Sequence, residues 1–328
     1  MKQRVLVTGG AGFIGASLVE RLLAEGHQVV ALDNLFRGRE AHVEHLIANG
    51  RFTFIQGDVT SPDDLQGCYE AMGGVDVVHH LAAINGTKWF HEEARQVIDV
   101  NVNGTLCALA KAEEWGARFV LASSPEAFGD EAAMPLFETT ASVFPPASLH
   151  QRFSYGASKY LDEVAVQHAV RNGLDARIVR PFNAYGPRMV GDAHGQVVGM
   201  MFSAVQQQQP MMVHGTGQQT RCFTHISDIV EGFYLAGNLD HGVDGTVLSG
   251  VALNIGSEEE STVLSLANAI NDTVGSQAVD IVLGGGYPGD SNRRVPDCKR
   301  ARELLGWSCR WSLKEGLALM WANLQSTP

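Results

Sequence analysis

The stretch TGGAGFIG, residues 8–15, lies between a short aliphatic run, RVLV at 4–7, and SLVERLLAEG at 17–26. The aliphatic run predicts a buried strand. The leucines of the last segment have helical spacing and end at Gly26. Glycines in this position let the backbone turn tightly and approach a pyrophosphate, which the N–H groups at a helix N-terminus then stabilise. The spacing is G-x-x-G-x-x-G rather than the commoner G-x-G-x-x-G, so the context predicts the dinucleotide-binding loop more strongly than the glycines alone.

A second predicted strand, QVVAL at 28–32, leads into Asp33. A carboxylate at this point accepts hydrogen bonds from a ribose diol and repels a 2′-phosphate, which favours NAD over NADP. Arg37 and Arg39 follow closely and could hold such a phosphate, so the alternative cofactor stays open. The other reading of this segment is a solvated loop of mixed charge.

Strands and helices alternate through the first part of the chain. Further strands are predicted at 51–59, 75–83, 118–124 and 176–186, and helices at 94–115 and 155–171. This alternation predicts an α/β fold with a Rossmann-type, doubly wound parallel sheet. Asp58 and Val59 would form a wall for the adenine, and the small residues Ala82 and Ala83 would let the cofactor pass closely.

The pattern changes after residue 187. We therefore expect an NAD-binding Rossmann domain at 1–187, to which some later segments return, and a smaller C-terminal α/β substrate lobe at 188–328. The lobe would lie over the carboxyl edge of the sheet, where such folds bind ligands. Its helices are expected at 195–209, 262–274, 299–306 and 312–324.

Composition narrows the functional classes. The chain has 328 residues, 45% of them hydrophobic, and a formal net charge of −12. An acidic protein lacks the basic surface that nucleic acids require, and no apolar run reaches the ~18 residues that span a bilayer. The five cysteines are scattered without C-x-x-C spacing, which predicts reduced thiols and no structural metal. With no apparent signal peptide, a cytoplasmic location is expected.

Tyr155 and Lys159 stand one helical turn apart in SYGASK, 154–159, and so share a helix face. An ammonium within ~4–6 Å lowers a phenol pKa by about one to three units, which predicts a tyrosine able to act as a base. Ser123 and Ser124 end the predicted fifth strand at the same edge and can donate a hydrogen bond to a substrate oxygen. This set predicts removal of a hydroxyl proton coupled to hydride transfer. The spacing alone also occurs by chance on amphipathic helices.

A series of motifs resembles, in order, the extended short-chain dehydrogenase/reductases that modify nucleotide sugars. They are TGGAGFIG, LDN, GDV, HLAA, NVNGT, SSPEAFG, SYGASK, RPFNAYGPR, TRCFTHISDI and RRVPDCKRARELLGW, and they cover nearly the whole chain. The resemblance implies bound NAD, a nucleotide-sugar substrate and transient oxidation at sugar C4.

The resemblance also implies roles for individual residues. Asn101 would orient the active-site region, and Asn183 and Arg221 would contact the substrate diphosphate or nucleotide. Arg294 would lie near the phosphates. The remaining residues expected to line the substrate site are Arg188 and Val197. The full set expected to bind the cofactor is Gly9, Gly12, Phe13, Ile14, Gly15, Asp33, Asn34, Arg37, Gly38, Asp58, Val59, Leu81, Ala82, Ala83, Asn101, Tyr155, Lys159 and Pro181. For Arg221 and Arg294 the competing interpretation is simple surface solvation.

Within this family the chain looks most like UDP-glucuronate decarboxylases, on stretches such as DNLFRGREAHVEHL, LASSPEAFGD and RRVPD. Oxidation at C4 of a glucuronate makes a β-keto acid, which loses carbon dioxide easily. Glu126 would distort or protonate the sugar, and its competing interpretation is a carboxylate that caps the next turn. Departures from that group are Pro125, Phe128 and the segment INGTKWFHEEA at 84–94, which we expect near the sugar.

Three alternatives remain open on sequence. A 4-epimerase needs only the serine, tyrosine and lysine, and a 4,6-dehydratase must also remove a C5 proton and expel the C6 hydroxyl. The third is an NAD-binding scaffold without catalysis. The resemblance also implies a homodimer, in which helices 94–115 and 155–171 form a four-helix bundle across a two-fold axis. The apolar residues expected at that interface are Leu106, Leu109, Ala110, Leu161, Val164, Ala165 and His168.

Overall fold

The computed structural model describes residues 2–149, 151–189, 191, 195–285 and 291–326. The strands are β1 (Arg4–Thr8), β2 (Gln28–Asp33), β3 (Phe52–Gln56), β4 (Val77–His80), β5 (Arg118–Ala122), β6 (Ala176–Pro181), β7 (Ala184–Tyr185), β8 (Met211–His214), β9 (Thr220–Cys222), β10 (Thr224–His225), β11 (Ala252–Ile255), β12 (Glu260–Thr262) and β13 (Ile281–Gly284). The helices are α1 (Phe13–Ala24), α2 (Pro62–Met72), α3 (Thr87–Glu92), α4 (Ala94–Ile98), α5 (Gly104–Trp115), α6 (Phe153–Arg171), α7 (Val197–Gln206), α8 (Ile226–Asn238), α9 (Val263–Val274), α10 (Lys299–Leu305) and α11 (Leu313–Ser326).

A parallel sheet of seven strands, in the order β11-β6-β5-β4-β1-β2-β3, forms the centre of the molecule. Helices cover both faces, with α1 and α8 over one apolar cluster and α2, α5 and α6 over the other. The predicted doubly wound Rossmann-type sheet is confirmed. Strand order reverses between β1 and β4, and such switch points open a ligand crevice at the carboxyl edge.

The later part of the chain contributes to both lobes. β11 pairs with β6 and α8 packs on α1, so the central sheet contains chain from beyond residue 187. A separate apolar cluster joins α7, α9 and α11 with β8. The proposed division of the chain at 187 stays a prediction.

Several predicted elements are shorter than expected. β3 ends at Gln56 and β4 at His80, so the residues meant to contact a cofactor lie in the turns that follow. The helix expected at 94–115 is interrupted by a π-helical stretch, Asp99–Asn103. His79 and His80 are fully buried within β4, so both imidazoles belong to the packed interior. Within the part of the chain that the structure describes, none of the helices has the length and the apolar composition that a transmembrane span requires.

Candidate active site

A cavity of about 540 Å³ opens at the carboxyl ends of the central strands. Gly9 follows β1, Leu81 follows β4, Ser123 follows β5 and Pro181 ends β6, and all four line it. Its opposite side comes from the C-terminal lobe, through residues such as Val197 of α7. A volume of this size is typical of small-molecule and cofactor sites.

The glycine loop forms one wall of the cavity. The residues from this loop that line it are Gly9, Gly12, Phe13, Ile14 and Gly15. Gly9 has φ +68°, a conformation that favours glycine, and a Cβ at Gly15 would lie 2.0 Å from the Gly9 carbonyl oxygen. Gly12 precedes α1 and gives it no side-chain cap, so the first N–H groups of the helix are available to an anion at this wall. These features fit the pyrophosphate of a dinucleotide.

Asp33 connects the glycine loop to the turn after β2. Its carboxylate accepts hydrogen bonds from the backbone N–H of Ala11 at 3.0 Å and of Leu35 at 2.8 Å. Burial raises the Asp33 pKa, and these hydrogen bonds lower it again. A Cβ at Gly38 would lie 2.6 Å from Asp33 Oδ1, so glycine is needed where this turn passes the carboxylate. Asp33 is outside the cavity lining, and its hydrogen bonds to a ribose stay a prediction.

The remaining residues proposed for the cofactor divide into two groups. Those that line the cavity are Arg37, Leu81, Ala83, Pro181, Tyr155 and Lys159. Those that do not line it are Asn34, Asp58, Val59, Ala82 and Asn101, together with Asp33 and Gly38. Two of these residues contact each other, since the Asn34 side chain donates to Asp58 at 2.9 Å.

Asn101 is fully buried within the π-helical stretch and links two parts of the site. Its amide oxygen accepts from the Ile84 N–H at 2.8 Å, and its amide nitrogen donates to Ser158 Oγ at 3.1 Å. It thereby holds the loop after β4 against the helix that carries Tyr155, which agrees with an orienting role.

Tyr155 is buried at the cavity, near Ser124 and Glu126. Burial raises its pKa, as do the charges of Glu126 and Asp162, while a hydrogen bond with Ser124 lowers it. In the protein by itself the net shift of the Tyr155 pKa is therefore upward, not downward as expected, and a lowering contribution from Lys159 stays a prediction. The physical reason is desolvation of the phenolate, together with a carboxylate that engages the lysine.

Lys159 lines the cavity, but its ammonium donates to Asp162 Oδ2 at 3.2 Å. Both side chains are almost completely buried. Tyr155 and Lys159 thus lie on α6 and line the same cavity, as their spacing indicates. The charged group near the phenol is the Lys159–Asp162 ion pair rather than a lone ammonium.

The two serines have different surroundings. Ser123 Oγ donates to the Glu163 carboxylate at 2.5 Å, and Arg180 binds the same carboxylate through two nitrogens. Ser124 contacts Tyr155 and accepts from the Glu126 N–H at 3.2 Å. Ser124 is therefore the serine beside the phenol, and Ser123 mainly supports the wall.

Glu126 lies between guanidinium groups. Arg152 Nη2 is 3.2 Å and Arg294 Nη1 is 3.5 Å from Glu126 Oε1. Arg294, Arg152 and Arg221 together hold the pKa of this carboxyl below its usual range, against the effect of burial. Ser124 caps the short 3-10 helix at 125–128, so the interpretation of Glu126 as a capping residue is wrong.

The residues proposed to bind substrate fall into two groups, those that line the cavity and those that do not. Asn183, Val197 and Arg221 line the cavity. Arg188 instead donates to Ser17 at 3.1 Å and to Glu20 at 2.5 Å on α1. Arg294 is 3% exposed and binds the carbonyls of Pro125 and Gly129, behind the loop that carries Glu126. Surface solvation is therefore wrong for Arg294, whose contact with substrate stays a prediction.

The segment 84–94 borders the site, as expected. Asn85, Gly86, Thr87, Lys88 and Phe90 line the cavity. Phe90 stacks on Tyr155, with ring centroids 4.8 Å apart and planes inclined by 11°.

Sequence reasoning missed three residues at this site. Arg152 precedes Tyr155 by one helical turn and Asp162 follows Lys159 by another, so their spacing was an available signal. Phe90 had no comparable signal, because its contact with Tyr155 joins distant parts of the chain.

A cavity that combines a dinucleotide loop with a buried tyrosine, lysine and serine defines an oxidoreductase-type active site. Residues 5–256 match the NAD dependent epimerase/dehydratase family. The chain belongs to this family and is an NAD-dependent enzyme that modifies nucleotide sugars.

Three related proteins illustrate the match. UDP-glucuronic acid decarboxylase 1 of Arabidopsis thaliana is 35% identical over 98% of this chain and 70% of its own length. The crystal structure of UDP-glucose 4-epimerase from Thermotoga maritima has a TM-score of 0.88 at 26% identity, covering 99% of both chains. UDP-glucuronic acid 4-epimerase from Bacillus cereus, in complex with UDP-glucuronic acid and NAD, has a TM-score of 0.85 at 25% identity. It covers 99% of this chain and 100% of its own.

Proposed function

We propose that this protein is a UDP-glucuronate decarboxylase, which oxidises the sugar at C4 and then releases the C6 carboxylate as carbon dioxide. The observation that carries the proposal is the position of Glu126, paired with Arg152 and adjacent to Tyr155 at the cavity. A 4-epimerase requires no such carboxylate. The relatives named as decarboxylases, at 33–35% identity over most of this chain, support the same reaction.

Charge in the cavity suits an acidic substrate. UDP-glucuronate carries a diphosphate and a carboxylate, and an acidic protein must supply cations locally to bind them. Arg221 lines the cavity from β9, and Lys88 lines it from α3. We assign Arg221 to the diphosphate, with Asn183 beside it in the lining.

The residues of this chain act on the substrate oxygen first. Tyr155 removes the proton from the C4 hydroxyl, and Ser124, which already hydrogen-bonds the phenol, orients that oxygen. Bound NAD would supply the hydride acceptor and donor for C4 and the positive charge of a nicotinamide ring beside the phenol. The loop of Gly9, Gly12 and Gly15 would hold its pyrophosphate.

The second stage is loss of carbon dioxide. With a ketone at C4, the C6 carboxylate belongs to a β-keto acid, so the C5–C6 bond breaks and its electrons form an enolate. A proton from water then adds at C5. Its arginine neighbours keep Glu126 ionised, so Glu126 accepts hydrogen bonds that orient the sugar or this water, rather than supplying the proton itself.

A 4-epimerase of UDP-glucuronate is the second candidate, favoured by the likeness to the Bacillus cereus enzyme. It would use the same tyrosine and serine, with room for the keto sugar to rotate before the hydride returns. A 4,6-dehydratase is less well supported, because it must also expel the C6 hydroxyl and the relatives at 33–35% identity are named as decarboxylases.

We also infer a homodimer. The apolar residues on the outer face of α5 and α6 include Leu106 (48% exposed), Leu161 (50%) and Val164 (49%). Such exposure on adjacent helices is typical of a surface that pairs with a copy of itself. Leu109 is buried within the protomer and does not belong to this face.

The deciding experiment incubates the protein and NAD with UDP-, dTDP-, GDP- and CDP-sugars, including UDP-glucuronate, and measures product mass. Loss of carbon dioxide from UDP-glucuronate supports the proposal. An unchanged mass with a new stereoisomer supports epimerisation, and loss of water supports dehydration. Tyr155→Phe is the matched control, which should abolish turnover and leave NAD bound. No conversion of any sugar by the unaltered protein would contradict the enzymatic function.

A further inference from the structure

Lys159 and Asp162 form a buried ion pair on the helix that carries the catalytic phenol. Lys159 Nζ lies 3.2 Å from Asp162 Oδ2, and the side chains are 2% and 0% exposed. Both residues lie on α6, three positions apart, which places them on one face. A carboxylate withdrawn from water this completely is costly unless it is paired, so the pairing with Lys159 is what permits it here.

Asp162 also connects to polar groups beneath the sheet edge. Thr105 of α5 is a neighbour of the Asp162 carboxyl, and the Thr105 hydroxyl lies 3.0 Å from His80 Nε2. The other ring nitrogen of His80 lies 3.0 Å from Thr8 Oγ1 at the end of β1. The side of Asp162 away from solvent therefore borders a buried polar cluster, and its carboxylate accepts a direct hydrogen bond from Lys159.

We propose that Asp162 is a positioning residue that holds the Lys159 ammonium and offsets its charge at Tyr155. The ion pair as a unit, rather than the lysine alone, then sets the basicity of the phenol. This inference rests on the proposed function, in which Tyr155 is the base.

Other ionisable groups face the same region. These groups are Glu126 of the 125–128 turn, Arg152 just before α6, and His80 of β4. They also include Glu163 of α6 and its partner Arg180 of β6. Burial lowers the His80 pKa to about 3, so this imidazole is neutral at physiological pH. Glu163 is paired with Arg180. The charges that raise the Tyr155 pKa are therefore those of Glu126 and Asp162.

The first test is Asp162→Asn, which keeps the size of the side chain and removes its charge. In the NAD complex, the tyrosinate absorbance of Tyr155 is titrated, with Tyr155→Phe subtracted to remove the other tyrosines. The midpoint should fall by about one to three pH units, because the lysine charge is no longer offset. A midpoint that is unchanged or higher would overturn the proposal.

Two further variants serve as controls. Asp162→Glu retains the charge and should keep the midpoint close to that of the unaltered protein. Asp228→Asn removes another buried aspartate, on α8, which accepts backbone N–H groups of Arg310 and Trp311. It should reproduce any general loss of stability without moving the Tyr155 midpoint. A similar shift of the Tyr155 midpoint in Asp228→Asn would show that the shift comes from general destabilisation of the protein, which would overturn the proposal.

The Asp162→Asn variant leaves the buried Lys159 ammonium without its partner, which could prevent folding. A second test avoids this by also replacing Lys159. Lys159→Gln should raise the Tyr155 midpoint, since it leaves the Asp162 charge alone beside the phenol. Adding Asp162→Asn to it should bring the midpoint back close to that of the unaltered protein, because both charges are then absent. If the double variant keeps the high midpoint of Lys159→Gln, the charge of Asp162 does not reach Tyr155. This comparison decides the matter even if Asp162→Asn does not fold.

The titration requires no turnover, which separates this inference from the proposed function. A midpoint that moves in a protein converting none of the sugars would support the ion-pair role and contradict the enzymatic proposal. An active enzyme whose Tyr155 titration midpoint does not change in Asp162→Asn would support the enzymatic proposal and contradict the ion-pair role.

Discussion

The ring of Phe90 lies nearly parallel to that of Tyr155, at a centroid distance of 4.8 Å and an interplanar angle of 11°. Phe90 comes from α3, and the Ser154 hydroxyl donates to its carbonyl at 3.1 Å. The short helix is thereby fastened to the start of α6. Phe90 shields one face of the phenol from water and fixes the plane of its ring.

We expect Phe90→Leu to lower kcat more than it changes KM. Aromatic pairs contribute about 0.5–1.5 kcal/mol beyond area burial, so loss of ring alignment should reduce kcat by ~2–10-fold. Steady-state rates with the active sugar measure this. Phe137→Leu, at a site 48% exposed, is the matched control and should leave kcat unchanged. Equal effects of the two variants would contradict a positioning role for Phe90.

Gly15→Ala should abolish retention of NAD. The added Cβ would lie 2.0 Å from the Gly9 carbonyl oxygen, so the loop must move away from the position that fits a pyrophosphate. Calorimetric titration with NAD measures the loss. Gly67→Ala on α2 is the control, because an added Cβ would meet no atom within 4 Å outside its own helix backbone and chain neighbours. It should bind NAD normally and stabilise the protein by about 0.5–1 kcal/mol. Tight binding by Gly15→Ala would exclude the loop as the pyrophosphate site.

Glu126→Gln should slow the stage after oxidation, so that a keto sugar accumulates. The amide keeps the shape of the carboxylate but loses the charge that orients the sugar or water between the arginines. Rapid-quench mass spectrometry under single-turnover conditions detects the intermediate. Normal turnover by Glu126→Gln would remove this carboxylate from the mechanism.

The stability contributed by Glu126 should depend on pH. Its folded-state pKa is lowered, so the contribution is present above the unfolded value of about 4.3 and is lost as pH falls through the folded value. The difference in unfolding free energy between the unaltered protein and Glu126→Gln should be largest near neutral pH and shrink below about pH 4. Urea unfolding at several pH values measures it. A difference that grows in acid would contradict the ion pairing.

Leu161→Glu should convert the proposed dimer to monomers. The residue is 50% exposed on α6, and a charge buried in an apolar interface costs about 2 kcal/mol or more, at least ~30-fold in the dissociation constant. Sedimentation velocity measures the association. Leu319→Glu, 40% exposed on α11, is the control and should not change it. A monomeric unaltered protein would contradict the homodimer.

Much of the fold was predictable because its signals are local. The run before the glycines, the loop itself and the leucines of α1 report strand, turn and helix within a short segment. The ends of elements were less predictable, since β3 and β4 end where hydrogen bonding with neighbouring strands ends. The return of β11 to the sheet could not be placed from the chain order alone.

At the active site, the sequence by itself determined which groups meet along one helix face. One turn of α6 places Tyr155 beside Lys159, whatever surrounds them. Only the tertiary structure decided how deeply these groups are buried and which distant groups they meet. Burial raises the pKa of Tyr155 and removes the Lys159–Asp162 ion pair from water. The fold also brings Arg152 within ion-pair distance of Glu126. Desolvation depends on everything packed around a group, and those neighbours come from distant parts of the chain.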